Sequence, residues 1–222
     1  MKLIAMSVLS CSTWVAATLS TAAMAQNSPA PAGQVVVDSV NRLYLNPVTT
    51  QVLLTGYFAS IEGLPGPLFS GVPSESTAHF TWSSASSGAT VLPNGDIAGV
   101  VLNSGENFNV YYNPSPNQNW NNPGSFSAGQ LVATFKTAKG TQATVGPVFL
   151  VTRSFVLASS RSFVFKGQTF NFRRLIPHGF TLSVLGSSVP LSDAATPAFP
   201  LVFAVAGSGF AIGGELSSFP RW

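Results

Sequence analysis

Charge is scarce in this sequence. Only 8% of its 222 residues are Asp, Glu, Lys or Arg, against roughly 25% in ordinary globular domains. Ten basic residues face seven acidic ones, and Arg173-Arg174 is the only adjacent basic pair. No basic patch able to neutralise several phosphates can be built from these, which excludes nucleic acid as a partner. Low charge here does not mean disorder. Seventeen Phe and 45% hydrophobic residues supply ample material for a core, unlike the composition of unfolded chains.

Cysteine is nearly absent. The single one, Cys11, falls in an N-terminal segment read below as a cleaved signal, so the expected mature chain has neither disulfides nor thiol chemistry. Histidine is limited to His79 and His178. No HxH or HExxH spacing joins them, and no metal ligands are assigned. There is no GxSxG nucleophile elbow. A glycosidase pair would have to come from Asp38, Glu62, Glu75, Asp96, Glu106, Asp193 and Glu215. Of these, Glu75 and Glu106 open predicted strands, where carboxylates commonly cap turns or keep edges soluble. No catalytic residue and no cofactor is assigned, and the expected protein is non-enzymatic.

Sustained helical periodicity is also missing outside the N-terminus. Gly, Pro, Ser, Thr and Asn interrupt each stretch before a helix could establish itself. What the N-terminus does contain is the pattern of a secretory signal over 1–25: Lys2, then an apolar stretch, then Ala23-Met24-Ala25 before Gln26. Cleavage between Ala25 and Gln26 would deliver the protein to the periplasm or the exterior and leave no transmembrane helix. Residues 26–33 (QNSPAPAG) read as a flexible lead-in and 34–222 as a single domain.

Within that domain period-two alternation is the dominant signal. Phe80 and Trp82 alternate with Thr81, and Phe108, Val110 and Tyr112 with Asn109 and Tyr111. Leu131, Ala133 and Phe135 likewise alternate with Val132, Thr134 and Lys136, and Phe170 and Phe172 with Thr169 and Asn171. Strands are expected near 35–45, 48–61, 75–84, 96–103, 106–113, 129–137, 141–157, 161–166, 168–174, 178–185, 199–206 and 209–216. Turns are expected at Asn94-Gly95 and, more weakly, at Lys139-Gly140, Lys166-Gly167 and Ser208-Gly209, the last within Gly207-Ser208-Gly209, read as joining two buried strands of the apolar stretch 199–213. The expected fold is all-β: one antiparallel β-sandwich or partly closed β-barrel of about ten short strands.

Two connections carry candidate sites. Segment 111–124 (YYNPSPNQNWNNPG) combines aromatic faces, amides and stiffening prolines. Trp120 could stack on a sugar ring while Gln118, Asn119 and Asn121 bond its hydroxyls, with Tyr111 and Tyr112 adjoining, so a polysaccharide is a candidate partner. Turn-building by Asn and Pro, with Trp120 folded back on the core, accounts for the same composition. In 61–73, Leu64, Leu68 and Phe69 either line a pocket at a barrel mouth or plug the end of the core. Three functional expectations follow: an exported binding or surface/matrix protein, a carrier of a small apolar molecule or lipid in a barrel cavity, and an outer-membrane barrel. The last is weakened by Pro220 near the chain's end, since Pro cannot donate to a closing ladder.

Overall fold

The alternation seen in the sequence becomes two faces of one sheet. In a computed structural model the described residues are 29–49, 51–86, 89–104, 106–192 and 195–213. The expected signal peptide and its cleavage residues Ala23, Ala25 and Gln26 lie outside them. Eight long strands form the frame: β1 (Val35–Asn46), β2 (Gln51–Ile61), β3 (Phe80–Ser86), β6 (Asn107–Tyr112), β7 (Gln130–Val145), β8 (Val148–Ser160), β11 (Phe180–Ser187) and β12 (Leu201–Ala211). Each pairs antiparallel with the one before it in that order, and β12 returns to pair with β1. The result is an eight-stranded up-and-down barrel. Of the two architectures expected, the barrel is the one adopted. Closure leaves none of these strands as an open edge.

Two hairpins depart from the ring. β4 (Ala89–Asn94) and β5 (Ile97–Leu102) interrupt the path from β3 to β6, and β5 pairs with the second half of β7. β7 is long enough to hold β6 along its first half and β5 along its second. β9 (Phe163–Phe165), β10 (Gln168–Phe170) and the short helix α1 (Phe172–Leu175) form the second excursion, between β8 and β11. The Lys166-Gly167 turn falls where the sequence places it, and the β4–β5 turn falls one residue later than expected, at Gly95-Asp96, because Asn94 pairs with Ile97.

The end of the barrel holding the β9–β10 hairpin and α1 is closed by aromatic packing. Phe80 meets Phe163 and Phe165 edge-on at 5.4 and 5.2 Å, and Phe135 meets Phe172 at 6.1 Å. Leu68 is buried in the same core, with Leu64 and Phe69 packed against it, so this part of 61–73 plugs the core and does not border the interior cavity described below. Ala30, in the lead-in, is buried as well, and Gly33 donates its N–H to the Ala211 carbonyl. Across the waist, Trp82 stacks on Phe108 at 4.5 Å, and Phe108 contacts Phe155 at 4.6 Å and Phe180 at 5.6 Å.

Four sequence expectations need correction. Residues 168–174 are not one strand: β10 stops at Phe170, and Asn171, whose side chain accepts from the Arg173 N–H, caps the helix α1 that follows. Residues 75–84 are not one strand: Glu75–Thr77 form a 3-10 turn and the strand begins at Phe80. The turn closes on itself through the Ser74 and Thr77 side chains, a local alternative to strand pairing. Lys139-Gly140 is not a turn; β7 runs through it with a bulge between Thr137 and Gly140, and the reversal comes between Val145 and Val148. Gly207-Ser208-Gly209 does not join two strands, because β12 is continuous from Leu201 to Ala211. Gly207 marks a close approach instead: a Cβ there would lie 2.1 Å from the Ser183 carbonyl oxygen on β11.

Because Phe108 is fully buried among five other aromatic rings, Phe108→Ala should cost about 3–5 kcal/mol in denaturant unfolding. Val72→Ala, at a side chain 84% exposed, should stay within about 0.5 kcal/mol of wild type.

Candidate functional site

An eight-stranded barrel is just wide enough either to be filled by its own side chains or to hold one small ligand. The lower half is filled by the rings above. The upper half, toward the β1–β2 and β7–β8 turns, is not. There the inward positions carry smaller side chains, among them Leu43 on β1, Leu54 on β2, Ser84 on β3 and Val184 on β11. A partly open cavity of about 630 Å³ remains among them, within the range of roughly 300–1,000 Å³ typical of small-molecule pockets. Val91, Val100 and Leu102 of the β4–β5 hairpin complete one side. The cavity floor is the Trp82–Phe108–Phe155 layer.

The lining is mostly apolar, with one cation. Arg153 projects inward from β8 and is only 6% exposed. Its length is accommodated by Gly140 opposite it on β7, where a Cβ would lie 2.8 Å from Arg153 Cγ. The guanidinium Nη2 donates to the Asn103 carbonyl, just past the end of β5. Burial pushes the guanidinium below its ordinary pKa, while the negative charge of Glu106 acts in the opposite direction. This arrangement spans the step in the wall where β7 exchanges β5 for β6 as its neighbour. Sequence reading did not single out Arg153. Its only signal is a charged residue at an inward position of an otherwise apolar strand, and that inward face is known only once the register is known.

The six residues singled out in 111–121 are not gathered on one surface. Tyr111 and Tyr112 end β6; Tyr112 packs against Phe80 at 5.1 Å and Phe163 at 5.7 Å at the closed end of the barrel. Gln118 is 1% exposed, and neither polar atom of its side chain has a hydrogen-bond partner among the described residues. Asn119 and Asn121 are exposed, the Asn119 side chain accepting from the Asn121 N–H at 2.8 Å in a local turn. Trp120 is half-buried on the outer wall. Its ring lies 4.5 Å from Phe126 and 6.0 Å from Tyr57, and the Arg42 guanidinium sits over it at 4.8 Å. Tyr44 donates its hydroxyl to the Trp120 carbonyl at 2.7 Å, and Thr81 donates to the Phe126 carbonyl at 2.7 Å. Loop and wall are thereby tied together, and a sugar stacking on Trp120 would compete with the guanidinium.

A second, shallower concavity of about 540 Å³ lies on the outer wall beside Trp120, bordered by Val40, Arg42, Leu185 and Ala206. It is more open than the interior cavity. His79 is held by its ring nitrogen Nδ1 at 2.9 Å from the Asn113 carbonyl and packs on Phe165. Among the described residues no three His, Cys, Asp or Glu side chains gather as a metal site would require. No family model, curated protein or solved structure matches the chain significantly.

The Tyr44 hydroxyl gives this region a testable pH response. Burial raises its pKa above the ordinary value, with Arg42 and Thr55 opposing. A folded-state pKa above the unfolded one means a contribution present below about pH 10 and lost as pH rises through the folded value. The melting temperature should therefore fall above about pH 10, and less steeply in Tyr44→Phe than in wild type. At neutral pH the same variant should lose about 1 kcal/mol with the hydroxyl's hydrogen bond.

Proposed function

We propose that this protein binds a small, largely apolar molecule inside its barrel and acts as a carrier or receptor for it. The observation that carries the reading is the cavity of about 630 Å³ left by aliphatic and small side chains above an aromatic floor. Packing to ordinary density would leave few voids larger than a water molecule. A space this size, lined mainly by apolar groups, suits a ligand whose binding is driven by removal of apolar surface from water.

The distribution of polar groups favours this reading over a membrane-embedded barrel. Membrane barrels of the porin type present an apolar outer band and a polar lumen. Here the rings of Phe58, Trp82, Phe108, Phe135, Phe155 and Phe180 pack inside the barrel, while the outer wall bears Tyr57, Trp120 and exposed aliphatic side chains such as Val40, Leu150 and Leu185. The outer wall carries polar pairs such as Asn109 with Thr134 at 3.0 Å, Lys136 with Asn107 at 2.8 Å, and Asp38 with Ser60 and Ser208 at 2.6 Å. Export by a cleaved signal, as the N-terminal sequence suggests, would place such a carrier in the periplasm or outside the cell.

A neutral fluorescent probe, N-phenyl-1-naphthylamine, tests the proposal. It should bind saturably, with energy transfer from tryptophan. Leu54→Trp, which fills the cavity from β2, should weaken binding at least about ten-fold, a loss on the scale of one good apolar contact set. Leu185→Trp, at a residue 58% exposed on the outer wall, should leave it unchanged. Loss of binding in Leu185→Trp but not in Leu54→Trp would move the site to the outer groove and reject the interior.

A further inference from the structure

We propose that the cavity's ligand presents a hydrogen-bond-accepting oxygen, of a carbonyl or carboxylate, to Trp82, Ser84 and Arg153. This rests on the interior-binding reading above and names the ligand's chemistry. The three side chains come from β3 and β8, all line the cavity, and are 1%, 4% and 6% exposed. Trp82 Nε1, Ser84 Oγ and Arg153 Nε have no hydrogen-bond partner among the described residues. Buried polar groups are ordinarily hydrogen-bonded, so three unpaired ones around one apolar cavity call for an explanation.

Their chemistry sets the polarity of what would satisfy them. Indole N–H and guanidinium Nε–H can only donate, and a serine hydroxyl can donate too. A ligand offering oxygen lone pairs meets all three, whereas one offering only N–H donors leaves the first two unmet. The remaining wall, including Leu43, Leu54, Val184 and Phe203, is suited to a hydrocarbon body. The charge of Arg153 is already opposed by Glu106 nearby, so a neutral carbonyl oxygen is as compatible as an anionic one. Both share the acceptor oxygen that the donors require.

Competition against N-phenyl-1-naphthylamine on the purified protein separates these ideas, using undecane, 2-undecanone and decanoate as competitors. Ser84→Ala removes one donor with little change of shape, and Trp82→Phe removes another together with part of the cavity floor, a change of shape that the alkane competitor reports. Each should weaken 2-undecanone about five-fold relative to undecane, the equivalent of one hydrogen bond, and Ser84→Ala should leave undecane unchanged. Arg153→Met should weaken the oxygen-bearing ligands in the same way. A larger loss for decanoate than for the ketone assigns a carboxylate head, and the reverse a carbonyl; both support the proposal. Circular dichroism and melting confirm that each variant is folded, and any one folded variant suffices for the comparison. If the ketone and the alkane are affected equally, or neither is affected, the donors serve water or the wall and the proposal is overturned while the carrier reading stands. If wild type binds neither the probe nor any competitor, the carrier reading itself fails.

Discussion

Filling the inside of a closed eight-stranded barrel is the constraint on which everything else in this structure depends. Once β12 pairs with β1, every second residue of eight strands must share a narrow interior. The chain meets this demand unequally along the axis. Phe58, Trp82, Phe108, Phe135, Phe155 and Phe180 are all buried and interlock at ring separations of about 4.5–6.4 Å, while buried Phe80 packs on Phe163 and Phe165. Such contacts combine large apolar burial with preferred edge and offset geometries, and they provide stability without disulfides. Above them the interior side chains shrink, and the same closure that forces packing below encloses space above.

The two ends and the outer wall follow from this division. The β9–β10 hairpin and α1 contribute Phe163, Phe165, Phe170 and Phe172 to the core, which stops the filled end. The β4–β5 hairpin leans on β7 at the other end and borders the cavity. Outside, residues 113–129 lie against the wall through Tyr44, Thr81, Tyr57 and Arg42. A loop built from Asn and Pro, exposed in character, is thus anchored by its carbonyls and one indole. Its Asn side chains hold local turns, and its two aromatic residues, Trp120 and Phe126, pack on each other.

Arg153 shows how a wall irregularity and a site coincide. β7 changes partner from β6 to β5 near Gly140, where no β-carbon stands in the way. The guanidinium crosses there to the Asn103 carbonyl. A charged side chain at the edge of an apolar cavity is costly unless partnered, and here Nη2 is met by the wall while the buried Nε has no partner among the described residues.

Much of the fold was legible in the residues themselves. Alternation marked Phe80, Trp82, Phe108, Val110 and Phe135 as one-sided, and the absence of uninterrupted helical stretches excluded an α-rich architecture. Those features depend on neighbours two to four residues apart, which any sequence displays. What local pattern misjudged were glycines: Gly140 and Gly207 read as turns, yet each lies inside a strand where another strand comes too close for a Cβ. That distinction depends on a partner tens of residues away. The same holds for the site. Trp82 could be read as core, but its unpaired N–H, the neighbouring Ser84 hydroxyl and the inward Arg153 converge on one cavity only because closure turns their strands to face the same interior. The sequence by itself determined the strand-forming, charge-poor, disulfide-free character of the domain. Tertiary structure alone decided that the sheet closes, and that closure leaves a space with donors around it, because side-chain volumes can be compared with an enclosed volume only once the strands have met.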